Sequence, residues 1–336
     1  MEYDEFSAMN TVVLAAAEGE RQALAPGFAQ VRQFVADSEQ RFSRFRESSE
    51  LSRLNRAAGH WFTASPALFE LVQTALHLHR LTGGLFDPAI LAALKQAGYN
   101  HSLPRYAPPS PAVAAWESPS FSQTQLDEAR RAIRLPAGTT IDLGGIAKGW
   151  IAAGAAALLA QFSPACAVSA GGDMVLVGHP SFPLGEGEQA KARALAPARE
   201  NIRGAWQIAL EDPRAPDQVL AILNVGPGAL ATSTVTRRRW QQGDQLRHHI
   251  IDPRDGLPAR SSWLSVTVFT EKATDAEALA KALLIADPRS GALLAGRVAG
   301  LRFVAVQSDG TLWGTAASQE IIDVTEPVDL SPAYTR

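Results

Sequence analysis

The residues with the clearest chemical potential lie in Thr140-Ile-Asp-Leu-Gly-Gly-Ile-Ala-Lys-Gly-Trp150 and the alanine-rich run that follows to Gln161. A short apolar segment closing on Asp142 reads as the end of a strand, Gly144 and Gly145 as a tight turn, and the remainder as a helix. That order makes an anion cradle. Glycines let the backbone pass close to a ligand, the first free N–H groups of the helix point outward, and Lys148 adds a full positive charge in the first turn. The same pattern also suits a helix lying flat on a sheet, with small residues serving packing alone. A second candidate is His249, which precedes Ile250-Ile251 and a rigid Asp252-Pro253 turn, so that its ring can be held in one orientation. In an extended chain its neighbour His248 faces the opposite way. Such a histidine is either a hydrogen-bonded structural residue or a base that works near neutral pH. Arg237-Arg238-Arg239, followed by Trp240, reads as a solvated face, with a phosphate or acidic-surface contact as the alternative.

Positioning these groups takes several kinds of element. Phe6 to Ala17 is apolar and β-branched in its middle and predicts one strand with Met9, Asn10 and Thr11 at its start. Phe28, Val31, Phe34, Val35, Phe42 and Phe45 recur at near-helical spacing, predicting a long amphipathic helix over 27–45. Ser48 to Asn55 opens a short helical turn that ends at Gly59. Ser65-Pro66 starts another helix, with a hydroxyl cap and proline at the first position, and Gly83-Gly84 stops it. His77 and His79 stand two apart on that helix, so they cannot ligate one ion together. The stop leads into Leu85-Phe86-Asp87-Pro88, a turn with an aromatic beside a carboxylate.

Prolines and serines between His101 and Gln123 predict a loop. Residues 132–135 and 139–142 predict a β-hairpin around Pro136-Ala-Gly138. Ala167 to Gly178 reads as a buried strand interrupted by Gly171-Gly172, where a ligand or another backbone comes close. Strands are expected at 205–210, 219–225, 263–269, 301–307 and 311–316, a helix over 273–285, a polar mobile segment over 180–204 and a loose tail from Thr325.

The 336 residues, 46% hydrophobic and 19% charged with a net charge of −3, describe an ordinary globular chain without the basic excess of a nucleic-acid or membrane binder. The single cysteine, Cys166, excludes an internal disulfide and a cysteine-built metal cluster, and its apolar neighbours point to a buried, inert thiol. The acidic opening Met-Glu-Tyr-Asp-Glu-Phe and the short apolar run after it predict a cytoplasmic chain. With no internal repeat and no linker, the elements predict one α+β domain of mixed and antiparallel sheets packed with helices, over 6–317, and a tail over 318–336.

Ser49-Glu-Leu-Ser-Arg-Leu-Asn55, Gly84-Leu-Phe-Asp-Pro88, Ile141-Asp-Leu-Gly-Gly-Ile-Ala-Lys-Gly149, Ala170-Gly-Gly-Asp173, Ala231-Thr-Ser233, His249-Ile-Ile-Asp-Pro-Arg-Asp-Gly256 and Ala276-Glu-Ala-Leu-Ala-Lys-Ala-Leu283 follow one another in that order. Together they resemble the FAD:protein FMN transferases, the ApbE family, from about Met9 to Leu284. The resemblance implies a T-fold-related architecture and an enzyme that splits the pyrophosphate of FAD, attaches FMN through a phosphoester to a Thr or Ser of an acceptor protein and releases AMP, with magnesium. By the same resemblance, flavin-binding positions map onto Met9, Phe45, Leu85, Phe86, Asp87, Asp142, Lys148 and Ile250. Phe45 stands where Tyr is more common. Gly145 matches a position whose main chain helps hold the metal, and His249 becomes the expected base.

One departure concerns the metal. Many relatives place an Asp and a Thr four residues apart on the last helix, which suits a hard cation, whereas this chain has Glu277 and Lys281. Glutamate still offers oxygen, so Glu277 is the expected acidic metal ligand; lysine has no acceptor. Two readings follow for Lys281: an i,i+4 ion pair with Glu277, or an ammonium that lies against the pyrophosphate and replaces part of the metal's charge. The first permits magnesium, while the second leaves room for slower transfer. A flavin-binding protein without transfer, or an FAD pyrophosphatase that uses water, are the alternatives to a transferase.

Overall fold

A nine-stranded sheet forms the spine of the fold, with strands in the spatial order Glu2–Ala8, Thr11–Ala17, Cys166–Ala170, Asp173–Val177, Gly228–Thr234, Trp263–Thr270, Arg302–Gln307, Leu312–Gly314 and Ser331–Pro332. Neighbouring strands are antiparallel except for the last pair. The computed structural model describes residues 1–100, 106–107, 121–181, 204–286, 288–324 and 331–332. The helices are α1 (Arg21–Phe42), α2 (Glu50–Arg56), α3 (Pro66–Leu81), α4 (Leu91–Gln96), α5 (Ala147–Leu159), α6 (Ala273–Ile285) and α7 (Pro288–Arg297). The molecule is α+β, as the sequence predicts.

Alternating side chains divide the core between the two faces of the sheet. Ala231, Phe303 and Ala305 join α1, α3, α5 and α6 in the larger apolar cluster. Leu230, Val304 and Val306 instead meet a three-stranded sheet of Trp206–Asp212, Ala215–Val225 and Ile322–Val324. The helix starts follow their caps: Ser49 accepts from the Ser52 N–H and Ser65 from the Leu68 N–H, at 3.0 and 3.3 Å. Gly83 and Gly84, with φ of 63° and 85°, supply the left-handed turn after α3.

Close approach explains the small residues of α5. A Cβ on Gly149 would lie 2.6 Å from the Ala273 carbonyl oxygen at the start of α6, and one on Gly154 would run into the Phe34 ring of α1. With most of its inward face made of Ala and Gly, α5 packs against both helices and the sheet at once.

Several elements differ from the sequence expectations. The segment 6–17 belongs to two strands joined by a two-residue turn, in which Met9 and Asn10 both have positive φ (52° and 56°). Met-Asn lacks the glycine that usually announces such a turn. Residues 132–135 do not pair with 139–142. Ala132–Arg134 pairs with Gln125–Asp127 and Phe62–Thr63, while Asn55 brackets Ile141 through both of its backbone groups, at 2.8 and 2.9 Å. A side chain thus does for 139–142 what a partner strand would have done. Gly171 and Gly172, with φ of 66° and 97°, form a hairpin turn between two strands and do not interrupt one strand.

The strand Gly228–Thr234, the hairpin Arg239–Gln242 with Gln245–His248, and α7 were not anticipated. The helix predicted over 273–285 is present with those limits. Tyr106–Ala107 pairs with Gln241–Gln242 inside the predicted loop, most of which lies outside the described residues, as does 182–203 of the polar segment and most of the expected tail. Glu2–Ala8 and Ile322–Val324 both take part in sheets, so the packed region is wider than 6–317. Cys166 is buried, its thiol pushed up to about 11 by burial.

Candidate functional site

The glycine turn is held in place before it offers anything to a ligand. The Asp142 N–H donates to the Pro88 carbonyl (2.8 Å), and Asp142 Oδ1 accepts from the Gly144 N–H (2.7 Å). Its other oxygen takes the Arg44 Nε at 2.7 Å, and Arg44 also donates to the Tyr99 carbonyl. The Arg44 guanidinium lies over the rings of Phe45 and Tyr99, 4.1 and 4.8 Å from their centroids. Arg44 therefore ties the turn to an aromatic wall. Sequence reasoning missed it because its partners are remote in the chain.

Beyond the turn, Glu277 is fully buried in α6 and used on both oxygens. Oε1 lies 3.1 Å from both Lys148 Nζ and Lys281 Nζ, and Oε2 accepts the Gly149 N–H at 2.9 Å. Lys148 also pairs with the buried Asp173. Burial alone would raise the Glu277 carboxyl, but the two ammonium groups and the Gly149 N–H hold it below the usual carboxylate value. Burial lowers Lys148 to about 8 against the opposing pull of Glu277.

Two of the N–H groups expected to cradle an anion, those of Gly144 and Gly149, are thus satisfied internally by carboxylates. Positive charge reaches the ligand space chiefly from side chains. Gly145 is wedged there, where a Cβ would come within 3.2 Å of the Phe86 ring and 3.4 Å of the Lys281 stem.

His249 sits at the end of the predicted Ile-Ile-Asp-Pro segment, which is folded tightly: the Ala259 N–H donates to the Ile250 carbonyl and Arg254 forks onto Asp252. Its Nδ1 is buried with no hydrogen-bond partner among the described residues. Burial, then the charges of Arg238, Lys281, His248 and Lys148, hold its imidazole well below the ordinary value, so the ring is neutral at pH 7. His248 turns away, its Nε2 3.2 Å from the Ala259 carbonyl. The arginine run splits in function. Arg237 pairs with Glu211 and Arg239 donates to the Val235 carbonyl, whereas Arg238, at φ 50°, makes no hydrogen bond or ion pair among the described residues. The sequence alone treated the three as one face.

Two open cavities meet here. The first, about 1160 Å³ counted to its mouth, is lined by Met9, Phe45, Leu85, Phe86, Asp87, Asp142, Gly145, Lys148, His249 and Ile250, with Arg44 and Tyr99. All the sequence-predicted site residues except Glu277 stand on that wall, and Glu277 lies beneath it. The second cavity is lined by Gly171, Gly172 and the hydroxyl-bearing Thr232, Ser233, Thr234, Ser265 and Thr267. Gly144, Lys148, Arg238, His249, Ile250 and Lys281 belong to both.

A family model described as the ApbE family matches residues 9–304. The chain belongs to the ApbE family. It is similar to a FAD:protein FMN transferase of Treponema pallidum, 31% identical over 71% of this chain and 66% of that protein. It is also similar to one of Rhodobacter capsulatus, 29% identical over 82% of this chain and 50% of that protein. The chain thus spans between half and two thirds of the length of these relatives. An ApbE protein of Thermotoga maritima superposes with a TM-score of 0.74 at 24% identity, over 95% of this chain and 99% of that one. A flavin transferase ApbE of Vibrio cholerae gives 0.74 at 20%, over 95% and 98%. At those identities the likeness is one of fold.

The magnesium implied by the family pattern does not fit the donors at Glu277 and Lys281. The carboxylate is consumed by two ammonium groups and an amide, and Lys281 brings a cation where a ligand oxygen is expected. Among the described residues no three His, Cys, Asp or Glu side chains converge on a point.

Proposed function

We propose that this chain is a flavin transferase that moves FMN from FAD to a Thr or Ser hydroxyl of an acceptor protein and releases AMP. The observation that carries the reading is the neutral His249, its buried Nδ1 unpaired, where the two cavities meet beside Lys148 and Arg238. Family membership and the names of the relatives add support.

In this reading the flavin nucleotide lies against Met9, Phe45, Leu85, Phe86, Asp87, Asp142, Lys148 and Ile250, and the second cavity gives the acceptor its approach. The acceptor oxygen attacks the FMN-side phosphorus as its proton passes to His249. The bond to the bridging oxygen breaks, and AMP departs with that oxygen. The protein supplies position and charge neutralisation, the main demands of phosphoryl transfer. A magnesium ligand role for Glu277 is not part of the reading, since its oxygens are engaged; Gly145 serves by leaving space beside Phe86. No helix among the described residues is long and apolar enough to cross a membrane.

The test is incubation with FAD and a Thr-bearing acceptor. Covalent flavin on the acceptor, read by in-gel fluorescence, is the expected result. Unchanged FAD would make this a binding protein, and free FMN with AMP a pyrophosphatase. His249→Ala is expected to keep FAD affinity while transfer falls by about 10²–10⁴-fold; an undiminished rate would remove the histidine from the mechanism.

A further inference from the structure

We propose that Lys148, Lys281 and Arg238 form a side-chain clamp that neutralises the diphosphate of the bound dinucleotide in place of a divalent cation, so that this chain holds FAD without metal. The inference rests on the flavin reading above and specifies the charge that reading needs.

Three observations support it. Lys148, Lys281 and Arg238 all line both cavities, at the border where the diphosphate of a dinucleotide in the first cavity would face the acceptor's approach from the second. The carboxylates paired within this group are Glu277 and Asp173, both buried, and among the three cations they pair with the lysines. Three cations against two carboxylates leave one positive charge uncompensated, and Arg238 is the side chain without a partner among the described residues. It is presented from a left-handed backbone position that a non-glycine residue occupies at some cost and that the surrounding turn must enforce. A half-buried guanidinium with no partner among the described residues, beside two lysines on the cavity wall, offers an uncompensated positive charge to an anion.

The geometry also explains how lysine can occupy the place of a metal ligand. Glu277 does not face the cavity as a donor. It works from below, holding Lys148 and Lys281 at equal distances of 3.1 Å so that both ammonium groups stand side by side. A divalent ion entering there would have to displace two tethered cations from their shared carboxylate. Arg238 approaches from the hairpin side and can fork onto two phosphate oxygens, the contact a single ammonium cannot make.

FAD affinity, read by flavin fluorescence on the purified chain with a chelator and then with excess magnesium, tests the clamp. Wild-type affinity is expected to be the same within about twofold in both. Lys281→Thr, which restores an oxygen at that position, should lose at least ~10-fold in chelator and recover with magnesium, whereas Lys281→Arg should stay metal-independent. Arg238→Gln, on a turn outside the apolar core, should weaken FAD and inorganic pyrophosphate binding by ~10-fold or more without lowering the melting temperature. Wild-type binding that appears only with magnesium would overturn the clamp and leave the flavin reading intact. No flavin bound under either condition would overturn both. Unaltered affinity in Arg238→Gln and Lys281→Thr would also overturn the clamp.

Discussion

Two buried carboxylates, Asp87 in the cavity lining and Glu277 beneath it, carry their protons differently. Glu277 is enclosed by Lys148, Lys281 and the Gly149 N–H, which keep it ionised although it has no exposed surface. Among the described residues Asp87 accepts a hydrogen bond only from the Ala89 N–H, at 2.7 Å, and burial raises it to about 7. The neighbouring His79 does not rescue it. Its Nδ1 lies 3.4 Å from Asp87 Oδ2, but burial lowers the imidazole below its ordinary value, and the ring is engaged with the Phe86 carbonyl. Burial penalises both acids; the nearby cations decide which one stays charged. Asp87 therefore changes its charge near neutral pH, whereas Glu277 and the two lysines around it stay a fixed array of charge.

The same chemical edit should separate the two. Glu277→Gln removes the common partner of two buried ammonium groups and is expected to cost ~3–5 kcal/mol in urea unfolding, the range for breaking a buried ion pair. A loss below 1 kcal/mol would mean that solvent reaches the lysines.

Asp87→Asn should instead change the pH dependence of stability. The folded carboxyl is raised from 3.8 to about 7, so between those values the unfolded chain ionises while the folded chain keeps its proton. Wild-type stability should therefore fall as pH rises through that window, by up to ~1.4 kcal/mol per pH unit from this group, and the slope should flatten above it. The Asn variant lacks this contribution and should gain on the wild type as pH rises; parallel profiles for the two proteins would show that Asp87 titrates normally.

The smallest effect is expected at Phe45, where the ring is partly exposed and its contacts, the Arg44 guanidinium and the Tyr99 ring, are made through the aromatic face and edge that a Tyr would keep. Phe45 is 39% exposed and packs edge-on against Tyr99 at 5.9 Å. Phe45→Tyr keeps that face and adds a hydroxyl in reach of solvent, so stability should change by no more than ~0.5 kcal/mol. A gain in FAD affinity beyond a few-fold would show that the hydroxyl meets the ligand.

Much of the cavity was legible in the chain because its parts are local motifs. A capped helix start at Ser65-Pro66, a Gly-Gly stop before Leu85-Phe86-Asp87 and a Gly-Gly turn before an alanine-rich helix each carry their own signal, and the fold brings Leu85-Phe86-Asp87 and the Gly144-Gly145 turn to one cavity. What escaped was pairing across distance. Nothing near Arg44 announces Asp142, nothing near Asn55 announces the backbone of Ile141, and nothing in Arg237-Arg238-Arg239 says that the outer two find partners while the middle one finds none among the described residues. The Met9-Asn10 turn escaped for another reason: its residues are atypical for the backbone they adopt, and tertiary contacts hold them, including the Met9 N–H on Glu39 at 3.1 Å. Glu277 and Lys281 were recognised as a pair four apart, but the arrival of Lys148 from α5 turns that pair into a triad.

The contact of Gly149 with the Ala273 carbonyl bears on how this arrangement can vary. Two helices touching main chain to main chain have little room to slide, so the backbone separation from which Lys148 and Lys281 reach Glu277 is set by the framework. Any residue larger than glycine at 149 would wedge the helices apart and pull the Gly149 amide off Glu277. Repair would then require change on both helices together. A substitution that tunes one member of the charge pattern has to work within a gap that the backbone has already set.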